Sequence, residues 1–208
     1  MHNLHIIFLA TLLLLMLPGC STLQLEDSAS PAISQDVQDQ LVKMREQQLA
    51  AITSWRLGGR FSLVTDGEAW SGKLNWIQQS NHEYLIQFSA PSGQGAMQLL
   101  GNDELAELRL ANGDSFQASD ADALMRQETD WELPINSLWY WVRGLPDPKL
   151  PQKIELDSEN LIVKLEQESW IVNYNKYQQV ESYSLPRKIT VENETLKLRL
   201  IITKWITE

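Results

Sequence analysis

Between Trp55 and Ile202 the chain runs in short alternations of apolar and polar residues, and no helical repeat follows each one. This pattern constrains the fold more than any other feature. Leu57, Phe61 and Leu63 share one parity against Arg60 and Ser62, and Trp70, Leu74 and Trp76 share the next face against Ser71, Lys73 and Asn75. Tyr84, Ile86 and Phe88 alternate with Gln87 and Ser89, and Ala106, Leu108 and Leu110 with Glu107 and Arg109. Successive side chains of a strand point to opposite faces, so each run predicts a strand with one buried and one wet face. Further strands are expected through Leu161–Leu165, Trp170–Tyr174 and Ile189–Val191, and Leu196–Ile202 is the plainest, with Lys197 and Arg199 between its leucines. Turn residues punctuate the runs at Asp66-Gly67, Asn112-Gly113 and Asp157 to Asn160. About ten or eleven strands in series, with no helix after each, specify a mainly β (α+β) antiparallel meander. A sheet of that length curls, and its one apolar face must be covered or must hold something.

The N-terminus is organised differently. Ile6 to Leu17 is an unbroken apolar run, too short to span about 30 Å of hydrocarbon but suited to the core of a signal peptide. It ends in Leu17-Pro18-Gly19-Cys20, which resembles a bacterial lipobox, so residues 1–19 are expected to be removed and Cys20 acylated. The bland reading is an ordinary secretory signal. Cys20 is the only cysteine, so the exported chain can form no internal disulfide and must rest on its core. Ser21 rather than Asp after the cysteine implies, by the sorting rule of such lipoproteins, the outer membrane and a periplasm-facing domain. Residues 20–34 read as the lipidated cysteine and a polar tether with Asp27, Ser28, Ser30 and Pro31, and residues 35–208 as one folded domain. That domain opens with an amphipathic helix from Gln35 to Ile52, capped at Ser34, in which Val37, Leu41, Met44, Leu49 and Ile52 recur at helical spacing. Two more helical pieces interrupt the strands, at Asp120 to Arg126 and at Asn136 to Arg143, where Leu138, Trp139, Trp141 and Val142 form a broad apolar surface able to plug the sheet.

Charge and composition narrow the function. The formal net charge is −10, from 17 Lys+Arg against 27 Asp+Glu, which offers a nucleic acid no general attraction. Beyond the leader the single histidine is His82, between Asn81 and Glu83, and it reads as a solvated turn residue, so histidine catalysis and His-rich metal sites are not expected. Gly67-Glu68-Ala69-Trp70-Ser71-Gly72-Lys73 has the spacing of a phosphate loop, but Leu74 stands where magnesium needs a hydroxyl and a strand follows where phosphate needs a helix N-terminus. Gly93-Gln94-Gly95 lacks a third glycine. Asp120 and Asp122 suit a helix start, and nothing marks them as an acid/base pair. No catalytic residue, metal or cofactor is therefore expected. What remains is tryptophan, of which the chain has eight: Trp55, Trp70, Trp76, Trp131, Trp139, Trp141, Trp170 and Trp205. Each alone is ordinary core; together with a curled sheet and a helical cover they suit an apolar cavity.

The same residues carry a family resemblance. Trp55 to Leu63, the strand Gly72-Lys73-Leu74-Asn75-Trp76, the turn Pro91-Ser92-Gly93, the segment Ser169 to Tyr174, Lys204-Trp205-Ile206 and above all Leu133-Pro134-Ile135-Asn136-Ser137-Leu138-Trp139-Tyr140-Trp141-Val142-Arg143-Gly144-Leu145-Pro146 resemble the LolB family of outer-membrane lipoprotein receptors. The resemblance implies an incomplete antiparallel barrel of about eleven strands with a helical lid, a lipid anchor at Cys20, and transfer of acylated lipoproteins from the periplasmic carrier LolA into the outer membrane. It also implies that the Pro91-Ser92-Gly93 loop meets the bilayer, where the family commonly carries leucine; Ser92 buries no useful apolar area, so either Met97 or another nearby apolar group is expected to substitute, or the tether geometry to suffice. By strand parity the acyl-chain cavity residues are Phe61, Trp76, Tyr84, Phe88, Leu99, Leu108, Trp139, Trp170, Leu198 and Leu200, each exchangeable with its neighbours. The expected partners are a LolA-like carrier, cargo acyl chains and outer-membrane lipid, with the protein itself a monomer. Two other functions share parts of this pattern: a carrier or sensor of free lipid, and a lipid or glycan hydrolase, which would need convergent polar groups inside the cavity.

Overall fold

A computed structural model describes residues 34–80, 83–90, 96–129 and 131–207. The leader, Cys20, nearly all of the tether, His82 and the Pro91-Ser92-Gly93 loop lie outside the described residues. The first strands form one meander: β1 (Trp55–Thr65), β2 (Ala69–Gln78), β3 (Tyr84–Ser89), β4 (Met97–Gly101), β5 (Ala106–Arg109) and β6 (Ser115–Ala118). A second meander follows: β7 (Lys153–Leu156), β8 (Ile162–Gln167), β9 (Trp170–Val180), β10 (Tyr183–Glu192) and β11 (Leu196–Thr207). Their order in the single sheet is β6-β5-β4-β3-β2-β1-β11-β10-β9-β8-β7. The first and last strands thus pair at the centre, from Trp55 opposite Thr207 to Thr65 opposite Leu196. Strands β6 and β7 are the two free edges, so the barrel is incomplete.

Alternation decides the layers. Phe61, Leu63, Leu74, Trp76, Ile86, Leu99, Leu108, Leu165, Val172, Val191, Leu198 and Leu200 point to one face and are buried, while Lys73, Arg109, Lys188 and Arg199 between them are exposed. Burying each large apolar side chain contributes about 1.5–3 kcal/mol, which is what holds a fold without disulfides. The register of β1 against β11 breaks between Gly58 and Gly59. A Cβ on Gly59 would stand 2.2 Å from Ile201 O, so no larger residue fits that close approach. A second break, in β10 after Pro186, lets the Trp205 indole donate to Pro186 O at 2.9 Å.

Helix α1 (Gln35–Leu49) precedes the sheet, and α2 (Ala121–Glu128) and α3 (Ile135–Trp141) lie in the long connection between the two edges. Helix α1 is shorter than its periodicity predicts, because Ile52 is buried in the turn that follows, its N–H on Leu49 O. Ser34 stands at its N-cap but makes no side-chain cap; its carbonyl instead accepts the Val37 and Gln38 N–H groups at 3.0 Å. Asp120 does cap α2, accepting the Ala123 N–H at 2.7 Å. Helix α3 stops before the predicted Arg143. There the Leu145 N–H bonds Tyr140 O at 3.2 Å and the Gly144 N–H bonds Trp141 O at 3.0 Å, the Schellman pattern, with Gly144 at φ +75. Among the described residues, no helix is long and apolar enough to cross a membrane.

Candidate functional site

Helix α3 is fixed to the sheet by a polar network that needs every member. Trp141 is buried, and its indole N–H donates to Gln167 Oε1 at 2.8 Å. The same oxygen accepts the Asp147 N–H at 2.9 Å, while Gln167 Nε2 donates to Asp147 O at 2.8 Å and Leu150 O at 3.2 Å. The Tyr174 hydroxyl donates to Trp141 O at 3.0 Å, and the Ser137 hydroxyl to Asp147 Oδ2 at 2.9 Å. From the other side Arg45 of α1 spends its guanidinium on three carbonyls: Nε on Gly144 O at 3.0 Å, and Nη2 on Arg143 O at 3.0 Å and Ser184 O at 2.8 Å. A cation at the end of α3 also suits the negative end of its dipole. The start of α3 is clasped to α2, since the Asn136 N–H donates to Asp122 Oδ1 at 3.1 Å and Asn136 Nδ2 to Asp120 Oδ2 at 3.2 Å.

Beneath this helix lies a cleft of about 990 Å³, near the top of the usual range for ligand sites. Its apolar wall is built by Trp76 and Tyr84 from the sheet, Ile135, Trp139 and Leu145 from α3 and its exit, and Trp170 at the start of β9. Glu46, Asp103, Asp120, Asp122, Asp147 and Glu168 also line it, against Arg143 and Lys149. Of the ten residues assigned to the cavity by parity, Trp76, Tyr84, Trp139 and Trp170 line this cleft. The other six do not. Leu99, Leu108, Leu198 and Leu200 are packed inside the sheet at 0–2% exposure. Phe61 and Phe88 meet edge-on at 5.0 Å, and both reach Trp131, at 5.8 and 5.3 Å, away from the cleft. Parity finds the face a side chain occupies but not how deep along the barrel it sits. Met97, expected as a substitute for the missing loop leucine, is half-buried opposite Phe88 and packs against the core.

The residue that parity missed is Arg143. It is 5% exposed, and its guanidinium lies 3.5 Å from the centre of the Trp139 ring and 5.8 Å from that of Tyr140. Its Nε donates to Trp139 O at 3.2 Å, and among the described residues no carboxylate comes within ion-pair distance. Desolvation therefore lowers its pKa to about 10, which leaves it charged at neutral pH. Burial raises Tyr84 to about 12, helped by Asp122 and Asp120, and burial also raises the Asp122 carboxyl above its ordinary range. Those two carboxylates serve the helix ends. Among the described residues, no group of three or more His, Cys, Asp or Glu side chains is placed to hold a metal ion.

Solved structures share the fold at low identity. A DUF1329 family protein from Desulfovibrio piger superposes with a TM-score of 0.59 at 9% identity, over 83% of this chain and 92% of its own. A LolA superfamily protein from Nitrosomonas europaea superposes with a TM-score of 0.55 at 8% identity, over 82% and 93%. Sequence relatives go further. The outer-membrane lipoprotein LolB of Nitrosococcus oceani is 37% identical over 193 residues, 92% of each chain, and that of Pseudomonas paraeruginosa 32% identical over 199 residues, 96% of this chain and 95% of its own. The family described as outer membrane lipoprotein LolB matches residues 53–205, which run from β1 into β11 and include α2, α3 and most of the residues that line the cleft. With its open eleven-stranded sheet, its helical cover and this match along most of its length, the chain belongs to the LolB family.

Proposed function

We propose that the protein is a lipid-anchored outer-membrane receptor, facing the periplasm, that accepts acylated lipoproteins from a LolA-like carrier and passes them into the outer membrane. It works as a monomer by binding and release, without nucleotide, cofactor or covalent chemistry. Acylated Cys20 is its anchor and the segment 20–34 its tether. The observation that carries this reading is the cleft of about 990 Å³ beneath α3 in a member of the LolB family. An acyl chain of about 14 methylenes costs on the order of 11 kcal/mol to expose to water, so a relay across an aqueous gap needs a sheltered hollow at its receiving end. Affinity that rises from carrier to receptor to bilayer then drives the transfer without an energy source. Trp76, Tyr84, Trp139 and Trp170 are the cleft residues that contact the chains, and Pro91-Ser92-Gly93 is the loop that meets the bilayer.

The test is a transfer assay. Radiolabelled lipoprotein bound to a purified LolA-like carrier is mixed with the chain from residue 20 onward bearing Cys20→Ala, and the two proteins are separated. Label is expected to move to the receptor. Label that stays on the carrier removes the claim, and capture of free fatty acid without capture of lipoprotein replaces it with a free-lipid carrier.

A further inference from the structure

Two arginines are buried against the end of α3, and only one is used up. Arg45, 8% exposed, has three carbonyl partners. Arg143, 5% exposed, has one, through Nε, and lines the cleft. Its two Nη groups are not among the fully buried nitrogens, so they are open to the cleft rather than sealed in protein. The Trp139 Nε1–H beside it also has no acceptor, but it is fully buried and so is sealed from the cleft that its ring lines. Arg143 lies over the Trp139 ring and has no carboxylate within ion-pair distance among the described residues, so its Nη donors remain available to a ligand in the cleft.

From this we infer that Arg143 forms a polar anchor for the carbonyl oxygens of an acyl lipid, the ester or amide oxygens at the head of the chains. The inference rests on the receptor reading and adds where the head of the lipid sits. A guanidinium is a donor only, so the ligand must supply acceptors. The charge around it selects which. Six carboxylate side chains line the same cleft, which opposes an anionic head and leaves a neutral carbonyl unaffected. The Trp76, Ile135 and Trp170 walls then take the hydrocarbon.

Three probes with one fluorophore and one chain length separate head from tail: dansylamidoundecanoic acid, its methyl ester, and dansylamidoundecane, which has no carbonyl. Each is titrated against the chain from residue 20 onward bearing Cys20→Ala. Arg143→Met is expected to weaken the methyl ester about tenfold, the worth of a hydrogen bond to a charged group, and to leave the undecane within about twofold. Equal losses for all three probes would make Arg143 structural and overturn the anchor. A loss confined to the acid would make the site a carboxylate receptor and overturn the carbonyl assignment. If the unmutated cleft bound none of the three, the receptor reading would fall, and the anchor with it.

Discussion

The Trp141 indole and the Gln167 side-chain oxygen meet at 2.8 Å, in a place where Gln167 is 1% exposed and makes four hydrogen bonds in all. One buried amide thereby joins β8, α3 and the chain leaving α3. Replacing it by an apolar isostere strands two donors, the Trp141 Nε1–H and the Asp147 N–H, and two carbonyls. Gln167→Leu is expected to cost about 3 kcal/mol in urea unfolding. Gln167→Glu keeps the shape but turns a carboxylate toward the Asp147 and Leu150 carbonyls, so its deficit should shrink as the pH is lowered and the new acid protonates. A loss below about 1 kcal/mol for Gln167→Leu would show that water replaces the amide.

Gly144 and Gly113 separate two costs that glycine substitutions usually mix. Both have positive φ, +75 and +96. A Cβ at Gly113 meets nothing within 4 Å, whereas at Gly144 it stands 2.9 Å from Arg45 Nη2, 3.1 Å from the Tyr177 hydroxyl and 3.2 Å from Pro186 Cγ. Gly113→Ala is expected to cost about 1 kcal/mol, for backbone strain alone. Gly144→Ala adds displacement of Arg45 from three carbonyls and is expected to cost about 3 kcal/mol. Urea midpoints of the two variants check this, and equal shifts would mean that Arg45 moves freely.

Asp122 gives the clasp between α2 and α3 a pH dependence. Burial raises its folded-state pKa above the ordinary 3.8, with the Asn136 hydrogen bonds pulling down and the Asp120 charge pushing up. A raised folded pKa adds stability that is full below the unfolded value and is lost as the pH climbs through the folded one. At neutral pH the ionised carboxylate is therefore a cost. Asp122→Asn removes that cost and still accepts the Asn136 N–H, so it should be more stable than the parent at pH 7. The gap should close as the pH falls through the raised folded-state pKa toward the ordinary 3.8. A gap of opposite sign that grows with pH would show that the Asn136 bonds need the charge.

Much of this architecture is readable from alternation alone. Where a strand is long and half-buried, as at β1, β2 and β11, parity identifies the inward side chains, Leu63, Trp76 and Leu198 among them. The short strands β4, β6 and β7 are harder, because four or five residues give too few alternations to stand out. The cleft was half legible. Alternation marks Trp76 on a strand and Trp139 on the helical cover, but depth along the barrel depends on which strand ends lie near α3, and no local period encodes that. Arg143 was hidden for another reason. A lone cation in an apolar run reads as a solvated helix terminus until the fold places it over the Trp139 ring.

Ser92 makes the delivery step testable apart from capture. The cleft lies beneath α3, with walls from β2, β3 and β9, and Ser92 lies outside the described residues. A residue that acts on the bilayer should then change insertion without changing loading. Leucine at this position buries a side chain worth about 2–3 kcal/mol in an apolar phase, where serine contributes nothing. Ser92→Leu is accordingly expected to accelerate movement of labelled lipoprotein from the receptor into outer-membrane lipid vesicles by about tenfold, with transfer from the carrier to the receptor unchanged. The two steps are read separately, the first by flotation of the vesicles and the second by separating carrier from receptor. If loading and insertion both rose, the loop would act on the cargo rather than on the membrane. If neither changed, the segment 91–93 would have no part in delivery, and the bilayer would be met by another surface.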